Sequence, residues 1–226
     1  STHSLAPSRS TIMINIYPDL YQFTDVLEPI KLSMHQYLLN TEEPVLIQTG
    51  AMPQAQATLP KLKELLGNRP LKYILISHFE SDECGGLSLV LKEYPNAIAV
   101  CSEVTARQLW GFGIAQKVEI KKPGDTLSGK DFEFDVIAYP SAEMHLWEGV
   151  LFMEKKRGIF FSSDLMFSMG ETQGQVMEIS WEDALKASGA DQIPVPDVQK
   201  KLIDDLSTLN PAFVASGHGA CMKIIK

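Results

Sequence analysis

The side chains of this chain that could bind a metal are concentrated between positions 74 and 86. An apolar run over 74–76 is followed by His78, Glu80 and Asp82 at every second position. On an extended backbone alternate side chains point the same way, so we expect these three to converge on one point. An imidazole with two carboxylates is a ligand set suited to a divalent metal. The same pattern is also compatible with a polar loop that merely caps the following helix.

Three further candidate ligands lie far along the chain, each after an apolar run. They are His145, Asp164 and His218. His218 stands between two glycines, which allow a close approach of the backbone. A polar residue at one strand end is ordinary, but its repetition at four strand ends indicates a shared site. The sequence therefore predicts a metal centre assembled from four separate segments.

Hydrophobic periodicity predicts two stretches in which strands precede helices. In the first, strands are expected at 11–16, 21–23, 35–40, 44–48, 71–77 and 97–101, and helices at 59–66, from 87, and from 103 to 110. In the second, strands are expected at 118–120, 132–139, 150–153, 158–161 and 212–215, and helices at 182–190 and 198–209. Such a pattern is typical of an α/β protein with a four-layer αββα sandwich. We expect a single domain over 11–226, preceded by a disordered tail at 1–10.

Composition excludes several classes of function. The net charge of −8 and the lack of a Lys/Arg-rich run argue against nucleic-acid binding. No apolar segment approaches the roughly 20 residues that span a bilayer, so no membrane partner is expected. The first ten residues lack the apolar core of a signal peptide. Three unpaired cysteines (Cys84, Cys101 and Cys221) are typical of reduced thiols, which predicts a cytoplasmic protein.

The order of these ligands resembles the metallo-β-lactamase fold. More narrowly, it resembles the diiron domain of flavodiiron proteins and related oxygen-binding diiron proteins. The resemblance covers residues 30–222 and includes the motifs DECGGL at 82–87, YPNA at 94–97, FSSD at 161–164 and GHG at 217–219. It implies a metallo-β-lactamase-like diiron domain, with no flavodoxin domain within this sequence.

The resemblance also implies a ligand set. One iron would be held by His78, Glu80 and His145, the other by Asp82 and His218, with Asp164 bridging them. Glu80 and Asp164 are the candidate catalytic residues. Ordinary hydrolases of the fold have a second histidine at the position of Glu80. A set with three carboxylates is harder and more anionic, which suits iron or manganese better than zinc.

Two positions depart from the expected patterns. Flavodiiron domains usually have a histidine where this chain has Glu83. Glu83 could bind the second metal, point away and leave that metal an open position, or simply be a helix-N-terminal glutamate favoured by the dipole. The other position is Gln48, where hydrolases of the fold often have an aspartate.

The function that the resemblance implies is binding and reduction of O₂, with NO as an alternative ligand. The expected cofactors are two iron ions joined by an oxo or hydroxo bridge, with zinc or manganese as alternatives and no FMN in this chain. Turnover would need an external electron donor. An oxygen or iron sensor acting through a signalling partner and a dinuclear zinc hydrolase remain alternative hypotheses. The family resemblance also predicts a homodimer.

Overall fold

The computed structural model describes residues 11–140 and 148–226. Its first sheet has seven strands in chain order. The first four pair antiparallel and the last four pair parallel. These strands are β1 (Ile12–Tyr17), β2 (Leu20–Leu27), β3 (Leu32–Leu39), β4 (Val45–Ile47), β5 (Tyr73–Leu75), β6 (Ile98–Cys101) and β7 (Val118–Ile120).

The second sheet also has seven strands, which are not in chain order. They are β8 (Thr126–Ser128), β9 (Glu133–Tyr139), β10 (Gly149–Glu154), β11 (Ile159–Phe167), β12 (Val176–Ser180), β13 (Phe213–His218) and β14 (Cys221–Ile225). Their spatial order is β12-β14-β13-β11-β10-β9-β8, so β13 returns beside β11 and pairs parallel with it. This pairing brings the carboxyl ends of β11 and β13 to the same edge of the sheet.

Helices cover the outer face of each sheet. Those on the first sheet are α1 (Met52–Leu66), α2 (Ser81–Cys84), α3 (Leu87–Glu93) and α4 (Glu103–Gly111). The second sheet carries α5 (Trp181–Lys186), a 3-10 turn (Gly189–Gln192) and α6 (Pro196–Ser207). Within 11–140 and 148–226, no helix combines the length and the apolar character needed to cross a bilayer.

Alternation along the strands explains the layers. Leu39 and Leu75 face the second sheet, whereas their neighbours Leu38 and Ile74 pack against the helices of the first. Between the sheets, fully buried Phe134 lies 5.5 to 6.3 Å from the rings of three other phenylalanines. The structure confirms the predicted four-layer αββα sandwich.

Several predicted boundaries were wrong. Helix α1 begins at Met52 rather than at position 59. Pro53 occupies its first turn, and Pro60 lies inside the helix. The buried face already includes Ala55 and Thr58, so tertiary packing outweighs the helix-breaking tendency of Pro60.

In the second half, β11 continues to Phe167 instead of ending at position 161, so Asp164 lies within a strand rather than after one. Strand β13 likewise continues to His218, and β8, β12 and β14 were not predicted. The predicted helix 182–190 is divided into α5 and the 3-10 turn, where Ser188 Oγ accepts a hydrogen bond from Ala190 N–H. The predicted tail at 1–10 lies outside the described residues.

Candidate metal centre

Five of the six predicted ligands come together where the two sheets meet. Together with Glu83 they form two groups, each with its candidate ligand atoms within 4.8 Å of one another: His78, Glu80 and Asp164 in the first, and Asp82, Glu83 and His218 in the second. The sixth, His145, lies outside the described residues. The site therefore combines residues that follow β5 in the first sheet with residues of β11 and β13 in the second.

Asp164 occupies the position between the two groups. Its Oδ2 lies 3.3 Å from His78 Nε2, and its Oδ1 lies 3.2 Å from His218 Nε2. Glu80 Oε1 is 3.6 Å from His78 Nε2, and Asp82 Oδ2 is 3.2 Å from His218 Nε2. One carboxylate thus presents an oxygen to each half of the site.

The prediction that His78, Glu80 and Asp82 converge on one point was wrong. The loop after β5 places His78 and Glu80, but the backbone then turns into α2, with Glu80 as its N-cap. Asp82 therefore lies in the first turn of a helix, where its charge is favoured by the peptide dipoles. Since it faces His218, the three residues are divided between the two groups.

An irregularity in β11 directs Asp164 into the site. The register between β11 and β13 shifts on both sides of Ser163, which has a left-handed backbone with φ of 49°. Such a conformation is uncommon for a residue with a side chain and is concentrated at functional sites. The neighbouring Gly217 allows the close approach, since a Cβ there would lie 2.9 Å from Ser163 O.

A hydrogen-bonded chain fixes the orientation of His78. Its Nδ1 lies 2.8 Å from Ser77 Oγ, so Nε2 is the nitrogen that faces the carboxylates. Gln48 Nε2 donates to Ser77 Oγ at 2.7 Å, and Ser77 N–H donates to Gln48 Oε1 at 3.2 Å. Because a backbone N–H can only donate, this second bond determines which way the Gln48 amide points. Ser77 Oγ also contacts Ser163 Oγ at 2.8 Å, which joins the two sheets.

His218 is held in a similar way. Its Nδ1–H donates to the backbone carbonyl of Ser33 at 3.0 Å. A carbonyl can only accept, so this nitrogen carries the proton and Nε2 of the neutral ring keeps a free lone pair. His78 and His218 therefore both present Nε2 to the site, with the other nitrogen held by the protein, as in histidine ligands of metals.

The carboxylates and the two histidines strongly shift one another's pKa values. Burial acts to lower the pKa of His78, but hydrogen bonds to Asp164 and Glu80 raise it to about 9. For His218, burial is again outweighed, and Asp164 and Asp82 raise the pKa to about 10. Conversely, burial acts to raise the pKa of Asp164, yet the two histidines hold it well below its usual range. Without a cation, the site retains protons on its imidazoles to balance its negative charge.

Glu83 shows most clearly that the residues fit a metal. The residue is 3% exposed, and its Oε2 has no hydrogen-bond partner. Burial raises the pKa of Glu83 well above its usual value, and the hydrogen bond to Asp82 adds to the rise. A buried oxygen without a partner is costly unless a cation or donor satisfies it. A carboxylate-rich donor set with two imidazoles suits iron or manganese.

Residues 32–219 match the family model described as "ODP family beta lactamase". The chain belongs to this family. The anaerobic nitric oxide reductase flavorubredoxin of Vibrio vulnificus is 26% identical over 156 residues, which cover 65% of this chain and 32% of that protein. The chain thus spans about a third of the length of this relative.

Solved structures support the same fold. The flavodiiron core of Flv1 from Synechocystis sp. PCC 6803 superposes with a TM-score of 0.78 at 16% identity, covering 96% of this chain and 58% of that one. The rubredoxin oxygen:oxidoreductase of Desulfovibrio gigas gives a TM-score of 0.76 at 17% identity, covering 94% and 57%. The predicted resemblance to the metallo-β-lactamase-like domain of flavodiiron proteins is confirmed.

Within this ODP-family domain, the residues that position the histidines were not predicted from the sequence. Ser77 and Gln48 each stand at the end of a predicted strand, and their sequence context does not show that they meet. A usable signal existed, because β4 and β5 are parallel neighbours and the residues after their carboxyl ends meet. Tyr139, at the end of β9, was also missed; its ring lies edge-on to His78 with centroids 5.6 Å apart.

His35 is buried and lies outside the two ligand groups. Its Nδ1 contacts Thr24 Oγ1, and its Nε2 lies 3.0 Å from the carbonyl of Gly219. Burial lowers its pKa to about 4. His35 thus fastens the turn after His218 to β3.

Proposed function

We propose that this domain is a non-haem diiron protein that binds and reduces O₂, with NO as an alternative ligand. The observation that carries the proposal is Asp164, whose two oxygens lie 3.3 and 3.2 Å from the Nε2 atoms of His78 and His218. A carboxylate between two imidazoles, in a site rich in other carboxylates, suits a pair of hard divalent cations. The related flavorubredoxin is a nitric oxide reductase and the structurally similar Desulfovibrio gigas protein is an oxygen:oxidoreductase, which supports this class of reaction.

His78 and Glu80 would hold one iron, together with His145 by family resemblance. Asp82 and His218 would hold the other, and Asp164 would be shared between them. Two bound ferrous ions would supply two electrons and a template that orients a diatomic ligand. The roles of Ser77 and Ser33 are to hold each imidazole with Nε2 facing inward.

Electron counting requires a donor. Reduction of O₂ to two water molecules consumes four electrons and four protons, twice the electrons that two ferrous ions supply. We therefore propose an external donor of the flavoprotein or rubredoxin class. A homodimer, as the resemblance suggests, is part of the proposal, and sedimentation analysis tests it.

The decisive experiment is anaerobic loading with Fe(II), followed by measurement of bound iron and of O₂ consumption with and without a flavoprotein reductase. We expect two iron ions per chain and sustained consumption only with the reductase. Asp164→Asn should abolish both iron binding and O₂ consumption. The matched control is Asp135→Asn, at a half-buried position of β9, and it should behave as wild type.

Other outcomes support the alternatives. A single slow turnover that added reductase does not stimulate would favour an oxygen sensor over a reductase. Retention of zinc in place of iron, with turnover of an ester panel, would favour a dinuclear zinc hydrolase. Either result contradicts the proposal.

A further inference from the structure

We propose that Glu83 binds both metal ions, as a second carboxylate bridge beside Asp164. The inference rests on the proposed two-metal site and specifies its ligand set. Glu83 belongs to the group with Asp82 and His218, whose ligand atoms all lie within 4.8 Å. Its Oε2 is also 3.6 Å from Nε2 of His78, which belongs to the other group. Among the described carboxylates, Asp164 likewise belongs to one group and contacts the histidine of the other.

The burial of Glu83 argues against a purely structural role. A glutamate that only complements a helix dipole does not need to leave water. Helix α2 has four residues, and Glu83 is 3% exposed although Ser81 in the same helix is exposed. Taking a carboxylate out of water without a hydrogen bond to one of its oxygens is costly. A cation at each group would satisfy that oxygen and offset the cost.

Charge balance supports the same role. Glu80, Asp82, Glu83 and Asp164 together carry four negative charges when ionised, which two divalent cations neutralise. A histidine at position 83 would leave one positive charge in excess. With Glu83 as a ligand, the site is neutral when both ions are divalent, and its oxygen donors outnumber its nitrogen donors. Such a set favours Mn²⁺ or Fe²⁺ over Zn²⁺.

The test uses Mn²⁺ as the probe, because its electron paramagnetic resonance spectrum distinguishes isolated ions from exchange-coupled pairs. Wild type and the control Ser81→Ala should each bind two Mn²⁺ and give a coupled-pair spectrum. Glu83→Gln, which keeps the shape and removes the charge, should weaken binding of both ions by at least about tenfold and reduce the coupling. Weakening of only one ion would overturn the bridge, and unchanged binding of both would overturn any ligand role.

Two controls separate this inference from the proposed function and from misfolding. If wild type fails to bind two ions of any kind, the two-metal site itself is wrong. If Glu83→Gln does not fold, as circular dichroism would show, a wild-type crystal soaked in Mn²⁺ decides. Anomalous density at the manganese edge should show one Glu83 oxygen within bonding distance of each ion. Contact with one ion, or with neither, overturns the proposal.

Discussion

At the scale of single residues, the hydroxyl of Ser77 connects several parts of the site. Its hydroxyl contacts His78 Nδ1, Gln48 Nε2 and Ser163 Oγ, all at 2.7 to 2.8 Å. One oxygen therefore orients a predicted ligand and joins it to the strand that carries Asp164. Such partners of a ligand commonly affect metal affinity by one to two orders of magnitude.

We therefore expect Ser77→Ala to destabilise the protein by about 1–3 kcal/mol, because buried polar groups lose their partner. Metal affinity should fall by roughly 10–100-fold, since His78 is no longer oriented. The matched control is Ser162→Ala, which removes a fully buried hydroxyl that has no hydrogen-bond partner. Urea denaturation and competition with a metal-binding dye measure the two effects. Equal behaviour of both variants would contradict this role of Ser77.

The two site histidines make the stability of the metal-free protein depend on pH. Their folded-state pKa values of about 9 and 10 lie above the ordinary 6.5, so the folded protein binds more protons than the unfolded one between these values. This stabilisation is fully present below pH 6.5 and is lost as the pH rises through 9 to 10. We expect the melting temperature in chelator to fall over this range, and His218→Gln to reduce the slope. A melting temperature that is independent of pH would contradict it.

At the scale of elements, glycines allow the strands and loops of the site to approach closely. Gly149 begins β10 beside the loop that carries His78, and a Cβ there would lie 2.4 Å from Ser77 O. The adjacent Val150 N–H donates to that same carbonyl at 2.9 Å. The contact is with backbone, so rotation of a side chain cannot relieve it.

Gly149→Ala should therefore displace the loop and destabilise the protein by about 1–3 kcal/mol, the usual cost of overpacking. Metal affinity should decrease as well, because Ser77 and His78 move together. Gly111→Ala, at the end of α4, is the control: nothing lies within 4 Å, and alanine favours the helix. Thermal denaturation and metal titration compare the two variants. Wild-type metal affinity in Gly149→Ala would show that the loop adapts.

At the scale of the whole molecule, the site lies across the interface of the two sheets. His78, Glu80 and Asp82 follow strands of the first sheet, whereas Asp164 and His218 belong to the second. Ions bound by both sets would tie the sheets together. This arrangement links metal binding to global stability, since the unfolded chain does not preserve the site.

Metal loading should accordingly stabilise the fold by about 2.7 kcal/mol at a free metal concentration 100 times the dissociation constant. The measurement is urea denaturation with Fe(II) under anaerobic conditions, or with Mn²⁺, against the same protein in chelator. Asp164→Asn should respond far less to metal, because it loses the shared ligand. Identical denaturation curves for loaded and metal-free wild type would rule out a site that links the sheets.

The sequence by itself determined the class of fold and most of the candidate ligands. An apolar run identified the strand that carries Leu75, and alternation identified the strand that carries Phe134, because a strand buried on both faces needs the first pattern and one buried on one face the second. Ligand-type residues near strand ends, such as His78 and His218, were visible for the same local reason. The start of helix α1 was predicted wrongly because tertiary packing outweighed the local helix-breaking preference of Pro60.

Only the tertiary structure decided which ligands share a metal position, that Glu83 faces both groups, and that Ser77 links His78 to Gln48. Some of these relations join residues that are distant in the chain. Others depend on the residue at which the short helix α2 begins. The direction of Asp164 likewise depends on the register between β11 and β13 around Ser163. Local preferences fix whether a segment is a strand or a helix, whereas the distances between side chains follow from how the two sheets pack.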